Sequence, residues 1–206
     1  MVQYVVNRWV SLALISGALL LTAPAIAAPE VGKPAPDFTA TDSNGNTVTL
    51  GAQRGKIVVL EWTNHECPFV GKHYGSGNMQ ALQKEATQQG IVWWSVISSA
   101  PGKQGNVTPQ QANELTSRRK AAPSAVLLDP EGTIGRQYGA RTTPHMYIID
   151  PQGKLVYMGA IDDKPSTRPA DVETANNYVR AGLKAVQQGK PVEPAVTSPY
   201  GCSVKY

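Results

Sequence analysis

The sequence predicts an α/β fold, a central mixed sheet covered by helices on both faces with a β-hairpin extension at its N-terminal side. Two observations lead there. Apolar, β-branched runs alternate with segments of helical spacing. A hairpin and one further helix then close the pattern. With 206 residues, 41% of them apolar, the chain can bury one core but not two.

The elements follow in order. Residues 31–42 (VGKPAPDFTATD) read as extended and Pro-punctuated, and Ser43-Asn44-Gly45-Asn46 carries the Asn-Gly signal of a tight turn into a strand over Thr47–Leu50. KIVVLEW, residues 56–62, is an almost continuous apolar run, as in a strand buried on both faces. Residues 78–89 place Met79, Leu82 and Ala86 on one helical face before Gly90, and Ile91–Ile97 is a second buried strand. Residues 98–107, rich in Gly, Pro and Ser, form a loop. Thr108-Pro109 then caps a helix running to about Lys120. A short strand over 125–128, a short helix over 133–138 and two strands, HMYIID and KLVYMG, follow; the turn Asp150-Pro151-Gln152-Gly153 joins the last two. A final helix is expected over about 170–188, and residues 191–206 are expected to be an irregular tail carrying Cys202.

Residues 1–27 have the parts of a secretory signal. A short start with Arg8 precedes an apolar run, then Pro24 and the small-residue sequence Ala25-Ile26-Ala27, which places cleavage after Ala27 and the domain over 28–190. The other reading is an uncleaved anchor, since Trp9 to Ala28 has about the 20 residues a spanning helix needs. Removal is favoured by Pro24 and by the Pro-rich start of the mature chain. The expected location is therefore periplasmic or secreted, with no stable membrane span once the signal is gone. Setting Arg8 aside lowers the formal charge from +4 to +3, and the remaining charges are dispersed rather than clustered, which argues against a nucleic-acid partner. Lys184 and Lys190 read as solvated surface.

The informative stretch is Glu61-Trp62-Thr63-Asn64-His65-Glu66-Cys67-Pro68-Phe69-Val70. A cysteine just past the C-terminal end of a buried strand lies where open α/β sheets place their binding crevices. A helix starting at Pro68 would add unpaired backbone N–H groups and the positive end of its dipole, both of which favour the thiolate. The alternative is a buried, inert thiol. Export would place Cys67 and Cys202, the two cysteines, where disulfides persist.

These segments resemble the thioredoxin-like redoxins of the alkyl hydroperoxide reductase and thiol-specific antioxidant group. The resemblance is carried by GKPAPDF, NGNTVTL, WTNHECPFV, Thr143-Pro144 and DPQGKLVYMG, and covers about Val31 to Lys190. It implies a thioredoxin-like fold and a peroxiredoxin-like thiol oxidoreductase or antioxidant acting on disulfides or hydroperoxides. The implied partners are a thiol or disulfide protein or a small-molecule electron donor. No cofactor or metal ion is called for. Cys67 aligns with the first thioredoxin cysteine and Val70 with the second, so no disulfide can close within the motif. Asn64 and Leu60 stand where typical peroxiredoxins have Thr and Pro.

Cys202 is the only internal thiol able to resolve a sulfenic acid or mixed disulfide on Cys67. A structural bridge and an intermolecular thiol are the other readings. The resemblance implies that Thr143-Pro144 is a cis-proline loop lying against the active cysteine, and that Glu61 is a buried acid assisting proton transfer. His65 is a candidate proton carrier or an exposed loop histidine. His145 is read as a neighbour of Cys67 or a structural histidine, His73 is less persuasive, and Glu66 should face solvent. Trp62 lies beside the site, and core packing suits at least two of the four tryptophans. Two other functions remain in view. One is a metal-binding or assembly module using Cys67 with His65, His73 and His145; the other is a non-catalytic binding protein.

Overall fold

The computed structural model describes residues 1–2 and 28–206, so most of the proposed signal lies outside the described residues. The chain runs β1 (Thr39–Thr41), β2 (Thr47–Thr49), β3 (Val58–Trp62), α1 (Pro68–Gly75), α2 (Asn78–Gln88), β4 (Val92–Ile97), α3 (Pro109–Arg118), β5 (Ala125–Leu128), α4 (Thr133–Gln137), β6 (Thr142–Thr143), β7 (His145–Ile149), β8 (Leu155–Gly159), α5 (Tyr178–Gln187) and β9 (Cys202–Ser203). A five-stranded sheet has the order β5-β4-β3-β7-β8. The strands separated by helices, β3, β4 and β5, run parallel, while β7 and β8 run antiparallel. That is the mixed sheet expected, with β1 and β2 as the hairpin.

The largely apolar strands are buried because both faces are covered. Val58, Leu60 and Trp62 point to the face packed by Phe38, Ile134 and Tyr138, from the N-terminal segment and α4. Val59 points the other way, to Met79, Leu82 and Ala86 of α2 and Val179 and Leu183 of α5. A smaller cluster of Ile97, Ala112 and Val126 seats α3. Thr108 and Gln111 form a capping box at the start of α3, each side chain satisfying the other's backbone N–H.

One region departs from expectation. The helix expected over 170–188 is helical only from Tyr178. Residues Pro169–Thr174 form a 3-10 turn, and the chain then extends so that Asn177 bridges to Asp162 and caps α5 with its side chain on Arg180 N. Tertiary pairing overrides helical spacing there. The tail, irregular apart from the two-residue β9, is tied down: Ala195 and Thr197 pair with Met158, β9 pairs antiparallel with β6, and Val204 N donates to Arg141 O at 3.1 Å.

Candidate active site

Cys67 is the N-cap of α1, and Pro68 at the first helical position presets the backbone torsion the helix needs. The thiol is 1% exposed and donates to Thr143 O at 3.1 Å. The Thr143-Pro144 peptide bond is cis. Opposite Thr143 in the β6–β9 ladder stands Cys202, so one residue, Thr143, receives the Cys67 thiol and faces Cys202 in register. Both cysteines are free thiols.

The two sulfurs differ in acidity. Burial pushes Cys67 up, but the Cys202 thiol, the backbone N–H groups of Val70 and Cys202 and the Thr143 hydroxyl favour its anion more strongly, and its pKa falls below the ordinary thiol value. Val70, where the thioredoxin pattern has a second cysteine, therefore acts through its amide. Thr143 Oγ1 finds no partner at hydrogen-bond distance while Cys67 is protonated, which leaves it free to donate to the thiolate. Burial, then the hydrogen bond and charge of Cys67, push Cys202 up to about 11.

The remaining expected residues, Glu61, His65 and His145, are not among the hydrogen-bond partners of Cys67. Glu61 is fully buried and accepts from Tyr74 Oη at 2.9 Å, Gln83 Nε2 at 3.0 Å, Trp93 Nε1 at 2.9 Å and Ser95 Oγ at 2.9 Å. Burial raises its pKa despite these donors. None of these hydrogen bonds leads to Cys67; they tie α1, α2 and β4 to β3. Arg119 donates to the His65 carbonyl at 2.9 Å, and His65 lines a cavity of about 40 Å³ with Thr63, Tyr74, Ser95 and Arg119. Cys67 does not line that cavity.

His145 is buried and hydrogen-bonded within the fold. Its Nδ1 meets Tyr147 Oη at 3.1 Å and Arg141 N at 3.3 Å, and burial lowers its pKa to about 3. Glu66 is exposed, and its carboxylate accepts from Gly105 N at 2.6 Å. Trp62 is buried, donating to Ser98 Oγ at 3.0 Å and packing on Tyr138 and Tyr147. Among the described residues no three His, Cys, Asp or Glu side chains converge to hold a metal ion. No helix among them is long and apolar enough to cross a membrane.

A sheet of this order, with a cysteine capping the helix after its central strand and a cis-proline loop against it, defines a thioredoxin-like redoxin. The AhpC/TSA family model matches residues 31–158, and the chain belongs to that family. Among solved structures, an uncharacterized conserved protein from Geobacillus kaustophilus is 28% identical with a TM-score of 0.72, over 86% of this chain and 92% of that one. A hypothetical protein from Sinorhizobium meliloti 1021 is 23% identical with a TM-score of 0.70, over 87% and 96%. A putative thiol:disulfide interchange protein DsbE from Chlorobium tepidum shares the fold at 23% identity and a TM-score of 0.55, over 77% and 99%. No curated protein matches.

Proposed function

We propose that this chain is an exported thiol–disulfide oxidoreductase in which Cys67 is the attacking thiol and Cys202 the resolving one. The observation that carries the reading is the register of β9 on β6, which sets Cys202 opposite Thr143, the residue that holds the Cys67 thiol. Cys67 has the lowered pKa of a nucleophile and Cys202 the raised one of a thiol that stays protonated until it is needed.

The cycle balances with an external disulfide as oxidant. The Cys67 thiolate attacks one sulfur of that disulfide and breaks its S–S bond, releasing one substrate thiolate and leaving a mixed disulfide. Cys202, on losing its proton, attacks Cys67 Sγ, forms the Cys67–Cys202 disulfide and releases the second substrate thiol. The substrate gains two electrons and the cysteine pair loses them; an external dithiol restores the pair. A disulfide suits the site better than a hydroperoxide. The groups that favour the Cys67 anion are two thiol-loop amides, a hydroxyl and a thiol, whereas Asn64, at the position of the peroxiredoxin threonine, is turned toward Gln104 O and Glu66 N. Export is supported by the leader-like residues 1–27 and suits a cysteine pair that must be reoxidised or reduced outside the cytosol.

The test is dithiol-driven insulin reduction by the mature protein. Wild type should turn over, Cys67→Ser should not, and Cys202→Ser should stall as a mixed disulfide. Equal turnover in wild type and Cys67→Ser would sink the proposal.

A further inference from the structure

Three ionisable side chains are buried together beside the site: Lys72 and His73 of α1, and Asp162, which follows β8. Buried charge is costly unless it is paired and hydrogen-bonded; Lys72 and Asp162 pair with each other, and the tail adds a hydroxyl that touches all three groups. Lys72 Nζ donates to Lys164 O at 2.6 Å, to Asp162 Oδ2 at 3.4 Å and to Tyr200 Oη at 3.4 Å. Asp162 Oδ1 accepts from Lys164 N at 3.0 Å and from the Tyr200 hydroxyl. Asn78 Nδ2 donates to His73 Nδ1 at 2.9 Å, which assigns the ring proton to Nε2, and Nε2 then donates to Tyr200 Oη at 3.2 Å. Burial keeps His73 neutral, with a pKa of about 4. A single hydroxyl therefore donates to the aspartate while accepting from the lysine and the histidine.

That hydroxyl lies two residues before Cys202, and the Tyr200 ring packs on Phe69, two residues after Cys67, with centroids 5.9 Å apart. The start of α1 and the tail thus meet at two neighbouring points, the thiol pair and the Tyr200 anchor. Between them Gly201 passes so close to Thr143 that a Cβ would lie 2.0 Å from the carbonyl oxygen. With the tail seated, Cys67 is covered.

We propose that Tyr200 is a positioning residue whose anchorage in the Lys72–Asp162–His73 cluster seats Cys202 against Cys67, and whose release uncovers Cys67 for an incoming disulfide. This rests on the reading of Cys202 as the resolving thiol. Tyr200→Phe is the informative variant because it keeps the ring contacts and removes only the hydroxyl.

Three readouts on the mature protein test it: the glutathione equilibrium of the Cys67–Cys202 pair, the alkylation rate of Cys67 by iodoacetamide, and amide exchange at Val204. In Tyr200→Phe the effective concentration of Cys202 should fall about tenfold or more, the scale of one hydrogen bond to a charged acceptor. Cys67 alkylation and Val204 exchange should each rise by about the same factor, while exchange in β3 stays at the wild-type rate. Values within about twofold of wild type in all three overturn the proposal, as does acceleration in β3 equal to that in the tail. If wild type forms no Cys67–Cys202 disulfide, the resolving role fails and the seating proposal with it. An unchanged Tyr200→Phe in a protein that does form the disulfide sinks the anchor alone.

Discussion

Replacing Gly201 by alanine sets a methyl group against the backbone that holds Cys67. Gly201 has φ +139°, and a Cβ there would lie 2.0 Å from Thr143 O, 2.7 Å from Thr143 C and 3.3 Å from Pro144 N. These are backbone atoms of a loop buried against β9 and α1, so the tail must yield. Reaching an ordinary 3.4 Å contact requires opening by about 1.4 Å, enough to part the β6–β9 pairing and carry Cys202 away from Cys67. The expected cost is about 2–3 kcal/mol, one or two hydrogen bonds of about 1 kcal/mol each plus the strain of a β-carbon at that φ. At about 1.4 kcal/mol per tenfold, this lowers the equilibrium for closing the Cys67–Cys202 disulfide by roughly 30-fold to 140-fold. Titration of the Gly201→Ala protein against glutathione, with the cysteines quantified by alkylation and mass spectrometry, measures it directly. A closure equilibrium within about threefold of wild type would show that the strand register does not set the thiol pair together.

Other perturbations separate fold from site. Glu61→Ala should destabilise by about 3 kcal/mol or more, because Trp93, Ser95, Gln83 and Tyr74 all lose their acceptor in the core. Urea denaturation checks this, and the pH midpoint of Cys67 alkylation should stay in place because no hydrogen bond joins the two groups. Leu60→Ala, at a fully buried position in the central strand, should cost about 2–5 kcal/mol in the same assay. His73 and His145 stay neutral in the fold down to about pH 4 and about pH 3, whereas an unfolded histidine protonates near 6.5. Their folded pKa values are lowered, so the stability they contribute is complete above about 6.5 and is lost as the pH falls toward those values. The loss is about 2 kcal/mol for each between pH 7 and pH 5. Urea midpoints that stay level across that interval would contradict the buried, neutral assignment.

Much of this was legible in the chain because local and global signals agree. The apolar runs at Val58–Trp62 and Val92–Ile97 are strands buried on both faces, and Cys67-Pro68 starts a helix as its residues demand. The legible part ends where long-range contacts decide. Residues 170–177 have helical spacing, yet Pro169–Thr174 tighten into a 3-10 turn and the Asp162–Asn177 bridge holds the chain after it extended. Cys202 had three possible roles because a two-residue strand carries no periodicity, and only its pairing with Thr143 sets it beside Cys67. Lysine normally marks a solvated face. No local signal told that Lys72 would be buried under Tyr200, because its partners lie about 90 and 128 residues away. Glu61 is buried, as the resemblance implies, but which donors surround it is set by residues 13 to 34 positions away, and the His65 carbonyl is held by Arg119, 54 residues on, so neither neighbourhood is written in the local sequence.

The central claim, that Cys67 and Cys202 form one redox pair, is tested most directly by peptide mapping of the protein after oxidation by one equivalent of a small disulfide. The pairing of β9 with β6 predicts one new species, the Cys67 peptide joined to the Cys202 peptide, reversed by dithiol. Recovery of Cys67 as a stable mixed disulfide with Cys202 still a free thiol would contradict it.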